Sequence, residues 1–285
     1  MSFSGFFSGI ADEAARTIDK QLQAHQELGW KHIELRAIDG VNLTDVDDAT
    51  FESIRTKLEA AEMQVSCFAS QLANWARPIS GDFEIDIAEL RRAIPRMHAL
   101  GTPFIRCMSY PNASPPLDEA DWHAEVVRRL KVLADMAADA NVTLVHENCD
   151  GWGGLGPEQS LKLLENVGSD HLQLVFDTGN PVERGQDAWE YYEKTRERTA
   201  YVHIKDYVVT DDSQLLARFP GEGLGQVSRI LGDLLARGYS GGISIEPHIS
   251  SVIHLKKDIE DPELAYSTYV EYGQKLEQLV QELSS

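Results

Sequence analysis

The sequence predicts one (β/α)8, or TIM, barrel of the α/β class, with residues 1–285 forming a single domain. Three observations lead there. Eight short β-rich runs recur along the chain, and stretches of helical periodicity separate them. One phrase repeats at the junctions: helix, glycine, one or two polar or aromatic residues, strand. LGWKHIEL, LGTPFIRC and RGYSGGISI are three instances. Eight units in 285 residues average about 36 residues each, a βα-unit length rather than a short solenoid repeat. The competing architecture is a doubly wound open sheet. No GxGxxG follows the first strand, which counts against its dinucleotide-binding form.

The elements follow in order. Strands are expected at Phe6–Ile10, His32–Leu35, Gln64–Ala69, Phe104–Met108, Thr143–Glu147, Leu172–Asp177, Tyr201–Lys205 and Gly242–Glu246. Ile18, Leu22, His25 and Leu28 line one helical face, and Gly29 stops that helix. Phe51, Ile54, Leu58 and Ala61 give the second stripe. Leu90, Ile94, Met97 and Leu100 precede Gly101, with Pro95 an irregular position inside the run. YPNASPPLDE reads as a loop after strand four, and Val126, Leu130, Leu133, Met136 and Ala137 form the fourth helix. Leu161, Leu164 and Val167 precede Gly168, and Ile230, Leu234 and Leu235 precede Gly238. The tail EYGQKLEQLVQEL is a solvated last helix with a Leu276, Leu279, Val280, Leu283 stripe.

Composition excludes several function classes. Lysine and arginine total 26 against 46 acidic residues, a net charge of −20. Phosphate binding needs clustered cations, so neither nucleic acid nor an anionic membrane surface is an expected partner. No apolar run reaches the roughly 18 residues of a membrane span. The N-terminal MSFSGFFSGIADEAART has no basic, then apolar, signal-peptide pattern. Cys67, Cys107 and Cys149 are isolated and form no CxxC pair; they read as core residues in a reducing, cytoplasmic setting.

Chemistry concentrates at the ends of the late strands, where such barrels carry their active sites. Strand five ends LVHEN with Glu147, and strand six ends LVFDTGN with Asp177. Strand seven reads YVHIKDY with His203, Lys205 and Asp206, and strand eight ends ISIEPHI with Glu246 and His248. Charges directly after apolar strands are costly to bury, and four consecutive cases at one end point to a site. Alternation turns Glu147, Asp177, His203 and Glu246 inward, opposite His146, Phe176, Ile204 and Ile245. Three carboxylates and an imidazole suit Mn²⁺, Mg²⁺ or Co²⁺, with Zn²⁺ also open, and a cation would relieve the carboxylates' mutual repulsion.

ENCDGWGG, DTGN, HIKD, PGEGLG and RGYSGGISIE, in that order, resemble the xylose-isomerase-like sugar phosphate isomerase/epimerase superfamily. That group includes ketose 3-epimerases, hydroxypyruvate isomerases, inosose dehydratases and, more distantly, endonuclease IV. The resemblance implies one divalent ion, Mn²⁺ first, held by Glu147, Asp177, His203 and Glu246. It also implies that Glu147 and Glu246 are the acid/base pair. The expected reaction is isomerisation or epimerisation of an unphosphorylated sugar or keto-sugar, by proton abstraction α to a carbonyl through a metal-stabilised enediolate. The alternative is a dehydratase or lyase of inosose or 3-oxo-sugars. Remote readings are an endonuclease IV-like repair enzyme, against which the −20 charge counts, and a non-enzymatic barrel. Relatives are often dimers or tetramers, so a homo-oligomer is a further expectation.

Other residues carry secondary expectations. Lys205 either binds a substrate oxygen or pairs with a barrel carboxylate. Arg106 and His248 are candidate substrate contacts, and Trp152 either roofs the pocket or packs its loop. Asn180 stands where many relatives carry a histidine. Glu34 and Arg36 share a strand face and read as an ion pair near the mouth. Gly221, Gly223 and Gly225 read as a flexible loop over the site rather than a phosphate loop. His25, His98, His123, His171 and His254 read as surface or packing residues.

Overall fold

The structure, a computed structural model, describes residues 3–249 and 261–284. His254 lies outside the described residues. The strands are β1 (Phe6–Gly9), β2 (His32–Leu35), β3 (Ala37–Ile38), β4 (Val41–Asn42), β5 (Gln64–Leu72) and β6 (Phe104–Ser109). There follow β7 (Thr143–Gly151), β8 (Leu172–Asp177), β9 (Thr199–Ile204), β10 (Asp206–Val209), β11 (Leu215–Arg218) and β12 (Gly242–Ile245). Eight of them form one parallel sheet in the order β1-β12-β9-β8-β7-β6-β5-β2. A parallel bridge between Ile10 and Glu34 draws its two edges together, so the sheet is a nearly closed barrel. All eight expected strands are present.

The helices are α1 (Ile18–Glu27), α2 (Asp48–Ala60), α3 (Glu84–Leu100), α4 (Glu119–Asp139), α5 (Pro157–Val167), α6 (Asn180–Glu183), α7 (Ala188–Thr195), α8 (Val227–Ala236) and α9 (Pro262–Ser284). The glycines read as stops behave as such. Gly29, Gly101, Gly168 and Gly238 all have φ near +70°, which lets the chain leave the helix without a side-chain clash. Asp47, Asp118 and Asp187 cap α2, α4 and α7 by accepting a backbone N–H three residues on. α3 runs through Pro95, which lies on its exposed side. There the carbonyl that loses its partner faces water.

Two antiparallel hairpins were not legible. β3 pairs with β4 beside strand β2, and β10 pairs with β11 after β9. β5, β6 and β7 also run past their expected ends, each across a register irregularity with a neighbour. Bulges have no periodicity to read, yet they aim the loops at the mouth.

Inside the barrel, Cys67, Val145, Val175 and Tyr201 form a buried layer. Below the mouth, the Ser66 hydroxyl bonds both Ser8 and the Tyr201 phenol, each at 2.8 Å. Larger apolar clusters fill the space between strands and helices.

The last helix is more deeply packed than a solvated helix. Ala265, Tyr269, Tyr272, Leu276 and Val280 are buried, whereas Leu283 of the expected stripe is exposed. One of its ties to the barrel is His25. Nδ1–H donates to the His32 carbonyl at 2.7 Å, and Nε2 accepts from the Tyr269 hydroxyl at 2.8 Å. Gly9 makes room, since a Cβ there would sit 2.0 Å from that hydroxyl.

This pattern requires neutral imidazole, and burial pushes His25 down to about 4 against a weaker opposing bond to His32. A folded-state value below the ordinary 6.5 means stability is full above pH 6.5 and is lost as pH falls towards 4. Between pH 7 and 5 the chain should lose about 2 kcal/mol through His25. Urea melts of wild type and His25→Gln check this: their difference should shrink over that interval, and a constant difference rejects it.

Candidate metal and active site

Glu147 within β7, Asp177 and His203 at the ends of β8 and β9, and Glu246 just after β12 converge, and all four are buried. One ligating atom from each lies within 4.8 Å of the others. Neighbours hold each one. Glu147 Oε1 accepts from Asn180 Nδ2 at 3.0 Å, and Arg106 Nη1 lies 3.1 Å from Oε2. Asp177 Oδ1 accepts the N–H groups of Gly179 (2.7 Å) and Asn180 (2.8 Å), and Lys205 Nζ lies 3.4 Å from Oδ2. Glu246 Oε1 meets Arg36 Nη1 at 2.9 Å, and Oε2 accepts from Lys205 Nζ at 3.3 Å. His203 Nε2 is 3.0 Å from Glu34 Oε2, which also accepts from Ser244 Oγ at 2.7 Å. Glu34 thereby fixes the imidazole plane and leaves Nδ1 directed at the carboxylates.

Buried Glu147 Oε2 and Asp177 Oδ2 face the Arg106 and Lys205 cations outside hydrogen-bond geometry, and buried His203 Nδ1 has no hydrogen bond among the described residues. Buried polar atoms met this poorly are expensive. Their charges tell the same story. Burial pushes the Asp177 carboxyl up to about 7, and Glu246 and Glu147 add to the effect while Lys205 opposes it. Burial acts against the ionised forms of Glu147 and Glu246 as well. Arg106 and His203 outweigh it and hold Glu147 at about 2; Lys205, His248 and Arg36 hold Glu246 well below the carboxylate range. Two ionised glutamates therefore penalise the third carboxylate, and a divalent cation would remove that penalty. Three carboxylates and one imidazole fit such an ion.

A cavity of about 660 Å³ opens above these residues. Asp12, Arg36, Asn42, Gln71, Asn74 and Trp75 line it along with Arg106, Glu147, Asn180, Lys205 and Glu246. Lys205 thus combines both readings: it faces the cavity and pairs with two barrel carboxylates. Arg106 and Asn180 also reach the cavity, each while contacting Glu147.

Other expectations land elsewhere. Trp152 is not among the cavity-lining residues; it is buried and stacks on His123 at 4.0 Å between ring centroids, which is the packing reading. His248 also lies off the cavity wall. Its Nε2 is 3.3 Å from both Glu13 Oε1 and Glu246 Oε1, and the Tyr207 hydroxyl bonds its Nδ1 at 2.7 Å, so it orients Glu246. Glu34 and Arg36 do not pair with each other. They share a face, but Arg36 reaches over the mouth to Asp12 (3.0 Å), Glu13 (3.3 Å) and Glu246, while Glu34 turns down to His203. The glycine loop is pinned rather than flexible. The N–H groups of Gly221, Gly223 and Gly225 all donate to the Asp206 carboxylate at 2.8–3.0 Å. It is an anion nest filled by the chain's own aspartate. His98 and His171 bond backbone carbonyls away from the site.

Sequence reasoning missed several participants. Asp12 and Glu13 follow β1 directly, so the charge-after-strand signal was present there too. Asn148 clamps the Asp177 backbone from both sides, accepting its N–H at 2.7 Å and donating to its carbonyl at 3.0 Å. Thr178 does the same for Lys205. Gly179 lets the lysine stem pass, since a Cβ there would lie 2.8 Å from Lys205 Cγ. DTGN thus supplies a buried carboxylate, a clamp on Lys205, a gap for the lysine stem and an amide that holds Glu147.

A sequence profile of the xylose isomerase-like TIM barrel family matches residues 22–272. The chain belongs to that family. Among relatives, an inosose dehydratase of Geobacillus thermodenitrificans is 24% identical over 182 residues, 59% of this chain and 56% of that protein. Another, from Clostridium botulinum, is 26% identical over 130 residues, 46% of this chain and 42% of that protein. The chain thus spans about half the length of the curated relatives it matches. Solved structures agree on the fold. The D-allulose 3-epimerase of Methylomonas, in complex with D-allulose, superposes with a TM-score of 0.72 at 16% identity, covering 98% of this chain and 99% of that one. The probable 3-DHS dehydratase AsbF of Bacillus anthracis gives 0.74 at 16% identity, covering 97% and 99%. A Mycobacterium smegmatis protein of the same barrel type, in complex with magnesium, gives 0.70 at 19% identity, covering 98% of each. Among the described residues, no helix is long and apolar enough to cross a membrane.

Proposed function

We propose that this chain is a divalent-metal-dependent sugar isomerase or epimerase that removes a proton α to a carbonyl and passes through an enediolate. The observation carrying this is the convergence of Glu147, Asp177, His203 and Glu246, all buried with ligating atoms within 4.8 Å of one another, at a cavity that Glu147 and Glu246 line. Glu147, Asp177, His203 and Glu246 would hold the ion, with Mn²⁺ first and Mg²⁺, Co²⁺ or Zn²⁺ as alternatives. When bound, such an ion supplies Lewis-acid polarisation of a carbonyl and its neighbouring hydroxyl. Glu147, oriented by Asn180 and Arg106, acts as one proton-transfer group. Glu246, gripped by Arg36, His248 and Lys205, acts as the other. Arg106, Asn180 and Lys205 bind substrate oxygens. One barrel domain over residues 1–285 carries the site, and three unpaired cysteines suit a cytoplasmic setting.

A dehydratase reading shares the abstraction step. It is favoured by the inosose dehydratase relatives. Incubation with Mn²⁺ and a panel of ketoses, keto acids and inososes in D₂O tests both. Deuterium at the substrate α-carbon with a retained formula supports isomerisation or epimerisation. Loss of water supports the dehydratase, and the absence of both deuterium uptake and water loss rejects metal-assisted proton abstraction.

Metal removal gives a separate check. A ligand present at a hundredfold over its Kd and bound only by the native state stabilises it by about 2.7 kcal/mol. Dialysis against EDTA should lower Tm by several degrees, and Mn²⁺ should restore it. An unchanged Tm together with no calorimetric Mn²⁺ binding would count against the assigned ligands.

A further inference from the structure

We propose that Trp75 is the platform on which the C–H face of a ring-form substrate lies, so that the cavity selects cyclic polyhydroxy ketones over open-chain ones. The assignment rests on the reading of this cavity as the substrate site. Trp75 is 42% exposed and is the one aromatic among the exposed large apolar side chains of the described residues. It lines the cavity beside the Gln71 and Asn74 amides, and Glu147, Lys205 and Glu246 line the same space. A ring-form sugar or cyclic polyol presents a sheet of C–H bonds with hydroxyls at its rim, which matches a flat indole flanked by amides. An open chain holds no such face.

The indole is mounted on a braced loop. Ala73 and Tyr110 follow adjacent barrel strands, and both are buried with φ near +55°, a conformation that non-glycine residues seldom adopt. Tyr110 N–H donates to the Ala73 carbonyl at 2.8 Å. Asp86, buried on α3, accepts the Ala73 N–H at 2.8 Å and the Tyr110 hydroxyl at 3.1 Å. Arg77 reaches the same carboxylate at 2.7 Å and pairs also with Glu89. The three residues Asn74, Trp75 and Ala76 are therefore strung between two anchors, Ala73 and Arg77, on one buried aspartate. Strain of this kind persists where the surroundings over-determine it and gathers at ligand clamps. A platform ordered in advance loses little freedom on binding.

Calorimetry in Mn²⁺-containing buffer tests this with two non-reacting probes, myo-inositol as the ring and D-glucitol as the open chain. Wild type should bind the ring about tenfold more tightly. Trp75→Ala should abolish most of that preference while leaving D-glucitol affinity, Mn²⁺ affinity and Tm within twofold or a degree or two. Trp75→Phe should keep most of the preference. Equal ring affinity in Trp75→Ala and wild type, an equal loss for both probes, or no ring preference in wild type overturns the assignment. Solvent deuterium exchange judges the catalytic reading separately. Ring preference without exchange would reject that reading and leave the platform standing, and exchange without ring preference would do the reverse.

Discussion

Glu246→Gln is expected to lower turnover by about three orders of magnitude. A positioned proton-transfer group contributes roughly 10²- to 10⁴-fold, and an amide of the same shape supplies neither base nor ligand charge. The electrostatic loss is also specific to this site. Glu246 is the shared acceptor of Arg36, Lys205 and His248, so neutralising it leaves three buried groups facing an uncharged side chain. Mn²⁺ affinity should fall about 10- to 100-fold with it. The two effects separate at saturating metal, where only the proton-transfer defect remains. Rates of α-deuterium exchange, read beside Mn²⁺ calorimetry, are the measurement. Exchange within threefold of wild type at saturating Mn²⁺ would remove Glu246 from the chemistry. Glu147→Gln should behave in the same way, with Arg106 and Asn180 as the groups left unmatched.

Arg36→Met is expected to destabilise the fold by about 3–5 kcal/mol, the range for removing one member of a buried ion cluster. One guanidinium meets three carboxylates through three nitrogens: Nε to Asp12, Nη2 to Glu13 and Nη1 to Glu246. Burial opposes its charge, but Asp12, Glu13 and Glu246 outweigh that and raise its pKa further. Methionine would fill the volume and leave three acids without their common cation. Lysine should recover less than half the loss, because a single ammonium cannot span three acceptors set at the corners of a fork. Urea midpoints of the Met and Lys variants in EDTA, where no metal can substitute, decide this. A loss under 1 kcal/mol would show that the cluster relaxes by protonation instead.

Much of this molecule was legible in its residues. The helix-glycine-strand phrase located β2, β6, β8 and β12 because it records two local requirements at once, a left-handed residue to end a helix and an apolar run to enter the barrel, and the apolar runs alone located the other four. Alternation along LVHEN, VFDTG, YVHIK and ISIEP then set which side chains point inward, since a strand has only two faces. What alternation could not supply was the partner of each charge. Glu34 and Arg36 lie two residues apart on one face and yet serve different neighbours, because their lengths carry them to different heights of the barrel. The glycine loop read as flexible, although its amides are spoken for by Asp206, a residue 15 positions or more away. Trp152 read as a possible roof of the pocket, and Trp75 drew no expectation. Only the closing of loops over bulged strands buried the first and turned the second to the cavity.

The sequence by itself therefore determined the barrel, the end that carries the chemistry and the four residues whose atoms meet there, because each follows from short-range periodicity and from the cost of placing charge after an apolar strand. Tertiary structure alone decided how those charges are balanced. Arg36, Glu34, Asn148, His248 and Asp86 reach partners 13 to 235 positions away along the chain, and a contact between residues so far apart exists only once the barrel closes and sets the strand ends side by side.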